Sequence, residues 1–180
     1  MVLSSTLISN NFVLSNGDLY VTATAAAQSA VLAESGLTAG KYYWEVKNPW
    51  PVGVALIGVA NSSVSLNSLV GFDANGWGYR ENGQTYHNNS ASAYGNSYTV
   101  TDVIGVALNM DTGKVWFSKN GVWQNSGDPA AGTGEAYSGL TGTIYPAGSV
   151  SGSNDQLDFN FGQTALTYAA PDGFSAGITT

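Results

Sequence analysis

Asn-Gly occurs four times in this chain, at residues 16–17, 75–76, 82–83 and 120–121. The pair suits a type I′ hairpin turn, where both central residues take positive φ, so its repetition points to antiparallel strands joined by tight turns. The runs between these turns are short and rich in Val, Ile, Tyr, Phe and Trp, which fit a pleated surface. Several alternate with the period of a strand. In KYYWEVK (41–47), Tyr42, Trp44 and Val46 share one face, and Tyr43, Glu45 and Lys47 the other. In QLDFNFG (156–162), Leu157, Phe159 and Phe161 oppose Asp158 and Asn160. VIGVALN (103–109) is small or apolar on both faces, as a central strand requires.

Strands are expected near 11–14, 18–23, 29–34, 41–47, 54–60, 68–73, 77–81, 84–88, 103–109, 114–118, 143–150 and 156–161. Many short antiparallel strands at this spacing argue for one all-β domain, a two-sheet sandwich. TATAAAQSAVLAESG (22–36) has the propensity for a helix from a Thr cap to Gly36. It follows the β-formers Leu19, Tyr20 and Val21, so strand–turn–strand is the expectation. Irregular segments fall at 48–53, 61–67, 89–99 and 125–142, the last long enough for a packed Ω-loop or a partner-binding loop.

Composition narrows the function. At 180 residues the chain is long enough to bury a core without metal or disulfide, and it contains no cysteine. That removes thiolate nucleophiles and cysteine-based zinc sites. Five Lys and Arg against 12 Asp and Glu give a net charge of −7. Nucleic acid and anionic membrane surfaces both call for a basic patch that this chain lacks. With 9% charged residues, solubility rests on Ser, Thr, Asn and Gly, a composition typical of extracellular or particle-surface β proteins. No apolar run reaches the about 18 residues of a membrane helix. The N-terminus lacks the basic region of a signal peptide, so a role outside a cell implies another exit, such as lysis.

Several blocks, in order, resemble the SPRY family: GKYYWEV (40–46), IGVA (57–60), GWGYRENGQTYHNN (76–89) and VIGVALNMDTGKVWFSKNGVW (103–123). NSGDPAAGTGEAYSGLTGTIYPAGSV (125–150) and LDFNFGQTALTYAAPDGF (157–174) complete the set, which covers residues 12 to 174. The resemblance implies a bent sandwich of two antiparallel sheets, an interaction module that binds through loops at one end and carries no catalysis. It also implies an arm or docking segment at 1–11 and a short tail at 175–180. The Ala-, Ser-, Asn- and Gly-rich wording resembles the SPRY domains of bacteriophage structural proteins. The expected setting is then a virion surface, as capsid decoration or tail-fibre component. Within the family pattern, KVWFSKNGVWQ (114–124) is a hairpin with Val115 and Phe117 in the core and Trp116 on the opposite face.

The chemical inventory is thin. His87 is the only histidine, and no Gly-x-Ser-x-Gly elbow supports a triad around it. Asp155 and Asp158 lie three apart near a strand, so their side chains point to opposite faces, unlike the facing carboxylates of a glycosidase. Asp102, Asp111 and Asp128 sit where turns sit. DANGWG (73–78) and SNDQLD (153–158) lack the spacing of a calcium loop. No catalytic residue, metal ligand or cofactor is therefore expected.

Loop aromatics are the candidate binding residues. Trp50 stands between Pro49 and Pro51, which hold its backbone and lower the cost of presenting an indole. Tyr94, Tyr98 and Tyr137 fall in polar loops, and Arg80 is the only arginine. The leading expectation is a non-enzymatic virion protein that contacts another virion protein or a host surface glycan. The alternatives are an intracellular adaptor that binds a short peptide, and a glycan hydrolase. The sequence does not fix an oligomeric state.

Overall fold

The computed structural model describes residues 1–50 and 53–178, the side chains of residues 49 and 50 excepted. Fifteen strands form: β1 (Leu3–Ile8), β2 (Phe12–Ser15), β3 (Tyr20–Ala23), β4 (Ser29–Ala33), β5 (Lys41–Trp50), β6 (Ala55–Ala60), β7 (Gly76–Arg80), β8 (Gln84–His87), β9 (Ser90–Ala93), β10 (Val103–Asn109), β11 (Lys114–Lys119), β12 (Val122–Trp123), β13 (Tyr145–Val150), β14 (Gln156–Asn160) and β15 (Ser175–Ala176). They build an all-β sandwich of two sheets. The first runs β1-β4-β13-β6-β7-β8-β9 and the second β12-β11-β10-β5-β14-β3-β2. Pairing is antiparallel throughout, except that β15 lies parallel beside β5.

The alternation of the sequence sets the faces. Trp44, Val46, Ile104, Val106, Phe117, Leu157, Phe159 and Phe161 point inward from the second sheet onto Val31, Ile57, Val59 and Tyr79 of the first. Both outer faces are also covered in part. Val64 and Val70 of the β6–β7 connection pack on Ala30, Leu32, Ala60 and Ala147. Phe174 of the segment after β14 packs on Tyr43, Ala107 and Trp116. Strands β4, β6 and β10 are buried at every residue because each has apolar neighbours on both sides, hence their unbroken apolar runs.

Glu45 holds the second cover in place. Its side chain sits on the outer face of β5 in a residue 2% exposed. Its carboxylate accepts the backbone N–H of Thr167 at 2.8 Å and of Tyr168 at 2.7 Å. Burying an acid costs stability unless hydrogen bonds satisfy it, and these two do so.

Five segments differ from expectation. Residues 48–50, read as irregular, continue strand β5. Residues 3–8, read within an arm at 1–11, form strand β1, and Leu3 pairs with Ala33. Residues 90–93, read as loop, form strand β9, and Ser175–Ala176, read as tail, pair with β5. Residues 68–73, read as a strand, form turns instead. Gly71 there takes φ +96°, and a Cβ would stand 2.1 Å from the Tyr86 carbonyl oxygen, so extended pairing is broken at that residue.

The 114–124 hairpin forms as expected. Asn120 and Gly121 take φ 50° and 78°, Lys119 pairs with Val122, and Val115 and Phe117 fill the core. Trp116 lies on the other face, edge-on to Phe174, and its indole N–H donates to the Thr133 carbonyl at 2.8 Å.

Candidate functional site: a clamped loop rim

Strand direction gathers one set of connections at one end of the sandwich: residues 9–11, 24–28, 53–54, 81–83, 94–102, 120–121 and 151–155. The centre of this rim is a carboxylate. Asp155 is 1% exposed. Its two oxygens accept the Gly53 N–H at 3.2 and 3.1 Å, and Oδ2 also accepts the Gly152 N–H at 2.7 Å. Beside it, the Val54 N–H donates to Ser151 Oγ at 2.9 Å. The backbone of the same turn bonds Ala23, through Ala23 N–H to Asp155 O at 2.9 Å and Asn154 N–H to Ala23 O at 2.8 Å. The end of β3 and the β5–β6 and β13–β14 connections are thus tied at one point.

A second knot extends the rim. Ser9 Oγ donates to Asn67 Oδ1 at 3.2 Å, and Asn11 Nδ2 donates to Ser29 Oγ at 3.3 Å. Ala30 N–H donates to the Leu66 carbonyl at 3.0 Å. What this end shows to solvent is mostly hydroxyl, amide, alanine and glycine, with Val100 exposed and Glu81 and Lys119 part-exposed at one side. Among the described residues no group of three His, Asp or Glu side chains could hold a metal ion.

The expected site residues do not converge. Trp50 closes β5 opposite Gln156, but its side chain lies outside the described part of the structure. Tyr98 is a core residue at 4% exposure, and its hydroxyl lies against the carbonyls of Ala55 (3.2 Å) and Tyr79 (3.0 Å). Burial pushes its hydroxyl pKa well above the usual value. Tyr94 packs edge-on to Tyr79 and Phe117, and its oxygen accepts the Phe117 N–H at 3.3 Å. Burial pushes that phenol up to about 12. The Tyr137 hydroxyl lies 2.9 Å from the Gly78 carbonyl and 2.8 Å from that of Tyr86, pinning its loop to β7 and β8. Arg80 lies on β7, on the outer face of the first sheet. Its Nε meets Glu81 at 3.1 Å and its Nη1 donates to the Tyr86 hydroxyl at 2.9 Å. The four described candidates therefore hold the fold, because each finds partners inside the chain. His87 does likewise, stacked on Trp77 at 5.0 Å, with Nδ1 donating to the Gly76 carbonyl at 2.8 Å.

The residues that shape the rim were missed: Asp155, Ser151, Ser9, Ser29 and Asn67. The signal available was the small-polar composition of SVSGSND (149–155), which reads as any turn does. Two further acids serve the same end. Glu81 Oε2 accepts the Ala55 N–H at 3.1 Å. Asp102 accepts Thr99 N–H at 2.7 Å and Asn120 Nδ2 at 2.6 Å, and meets Lys119 Nζ at 3.2 Å. Burial alone would raise the Asp102 pKa, but these partners outweigh it and hold the carboxyl below the usual range.

With this geometry in hand, the relations of the chain decide its family. The SPRY domain model matches residues 41–164. The chain belongs to the SPRY family. The crystal structure of the SPRY domain of human HERC1 superposes with a TM-score of 0.74 at 21% identity, covering 91% of this chain and 99% of that one, which shows the shared fold. The ATP-dependent RNA helicase DDX1 of Xenopus laevis is 32% identical over 145 residues, 78% of this chain and 18% of the helicase. Ran-binding protein 9 of Xenopus laevis is 28% identical over 137 residues, 74% of this chain and 23% of that protein. The chain thus spans about a fifth of these curated relatives. SPRY domains are protein-interaction modules, generally without catalysis of their own, and the helicase name belongs to a protein mostly outside the matched stretch.

Proposed function

We propose that this SPRY domain is a non-enzymatic binding module whose clamped rim grips a short, extended segment of another protein. The observation that carries the reading is the Asp155 knot: a buried carboxylate bonded to Gly53 and Gly152 N–H groups, fixing two exposed loops against each other. Loops held in advance lose less freedom on binding, which favours recognition by shape and hydrogen bonding. The rim offers hydroxyls and amides with little charge, so the favoured segment is polar and uncharged. Family membership supports a protein ligand over other classes, and the named relatives are proteins of animal cells. Both support an adaptor role inside a cell over the virion setting.

The low charged fraction of 9% favours one second reading, a virion-surface protein that meets a glycan on its host. The same test separates the two. Purified protein is applied to peptide and glycan arrays beside Trp50→Ala and Ser153→Arg variants. Peptide binding lost in both variants supports the adaptor reading. Glycan binding lost in both supports the second, and binding that neither variant alters removes the rim from the function.

A further inference from the structure

On one lateral side the sandwich is bordered by two strand edges, β9 of the first sheet and β12 of the second. Proteins blunt such edges, because unpaired N–H and C=O groups invite another strand. β12 is two residues long, and Gln124 Nε2 covers its Val122 carbonyl at 2.7 Å. On the far side of the first sheet, β1 is irregular between Leu3 and Ile8, and Ser4 Oγ accepts the N–H groups of Thr6 and Leu7 at 3.1 and 2.9 Å. β9 has no such protection. Its sequence, Ser-Ala-Ser-Ala, carries no charge, proline or bulge and pairs with β8 residue for residue. All four residues are exposed, so β9 gains nothing from burial and is held only by its bonds to β8.

The turn before it fixes which groups are free. Asn88 and Asn89 take φ 50° and 58°, a type I′ turn, which makes His87 and Ser90 a hydrogen-bonded pair. Bonded and non-bonded pairs alternate, so Thr85–Ser92 is the next bonded pair. Ala91 and Ala93 then direct their N–H and C=O away from the sheet. The Tyr94 N–H bond to the Gly83 carbonyl at 3.3 Å continues the same alternation. Beside this edge lies an open groove of about 550 Å³, lined by residues 93–96 and 122–126, none of them charged. Val122 stands in it 66% exposed.

We propose that β9 is a strand-addition site, distinct from the Asp155 knot of the rim, where an extended uncharged segment of another protein pairs with Ala91 and Ala93 and rests an apolar side chain on Val122. The chemistry selects the occupant. Donors and acceptors repeating every second residue match an extended backbone and little else. A second copy is disfavoured because it brings another net charge of −7.

Proline supplies the test, since at Ala91 or Ala93 it deletes an outward N–H while sparing the bonds to β8. Displayed random peptides of about twelve residues, twice the usual strand, are selected on the wild-type protein. Enriched peptides are then measured on Ala91→Pro, Ala93→Pro and Trp50→Ala, with thermal melting to confirm that each variant folds. The expected result is at least about a tenfold loss, ~1.4 kcal/mol, on the proline variants and none on Trp50→Ala. Slowed exchange of the Ala91 and Ala93 amides in the wild-type complex reads the same contact without any variant. The proposal is overturned if no peptide is enriched, if the proline variants bind as tightly as wild type, if loss follows Trp50→Ala alone, or if the edge is filled by a second copy in a dimer.

Discussion

Many acids of this chain accept backbone N–H groups. Asp73 accepts the Ser65 and Asn75 N–H groups, each at 2.8 Å, Asp111 that of Gly40 at 2.7 Å, and Asp128 that of Ala131 at 3.0 Å. Asp102 and Asp155 do the same at the rim. Sequence places such residues in turns correctly, but it does not tell which distant N–H each one meets. The loop tyrosines show the same limit, because the acceptors of Tyr98 and Tyr137 are carbonyls on other strands. Tyr98→Phe takes the hydroxyl from the Ala55 and Tyr79 carbonyls, the first of which keeps the Glu81 N–H at 3.1 Å, and is expected to lower stability by about 0.5–1.5 kcal/mol in urea unfolding. Asp155→Ala frees the β5–β6 and β13–β14 connections from each other and is expected to cost about 2–3 kcal/mol. For Asp102 the folded pKa lies below its unfolded value. Its stabilisation is therefore full above the unfolded pKa of about 3.9 and is lost as pH falls through the folded one. Asp102→Asn should be less stable than wild type at neutral pH, with the gap closing on acidification. A gap that stays constant with pH would remove the carboxylate from this role.

Among elements, the strands with clean alternation or unbroken apolar character were legible: β4, β5, β6, β10, β11 and β14 all lie where the pattern put them. The ones that were not, β1, β9 and β15, have little apolar content or sit in short edge pairs, so no period marks them. Turn chemistry was only partly readable. Of the four Asn-Gly pairs, Asn120-Gly121 makes the two-residue turn, whereas at 82–83 only Gly83 takes positive φ, behind a Gly83 N–H bond to the Arg80 carbonyl at 2.9 Å. The type I′ turn between β8 and β9 is instead Asn88-Asn89, a pair the dipeptide signal passes over. Close approach of strands is another property that sequence hides. A Cβ at Gly58 would stand 2.0 Å from the Trp77 carbonyl oxygen. Gly58→Ala must push β6 from β7, and a loss of about 1–3 kcal/mol with a lower melting temperature is expected.

At the scale of the whole molecule, the SPRY fold was readable because its blocks come in order along most of the chain. The setting was not, since Ser-, Asn- and Gly-rich loops say how a surface stays soluble and not what it meets. Tyr94, Tyr98 and Tyr137, read as loop contacts, pack toward the core, and the rim was assembled by small polar residues that carry no distinctive signature. The measurement to make is an amide NMR titration of the labelled protein with a peptide drawn from the array. Shifts gathered in residues 24–28, 53–54 and 151–155, absent in Ser153→Arg, are the expected result. Shifts confined elsewhere, or no peptide binding at all from a folded protein, would contradict a rim-bound protein ligand.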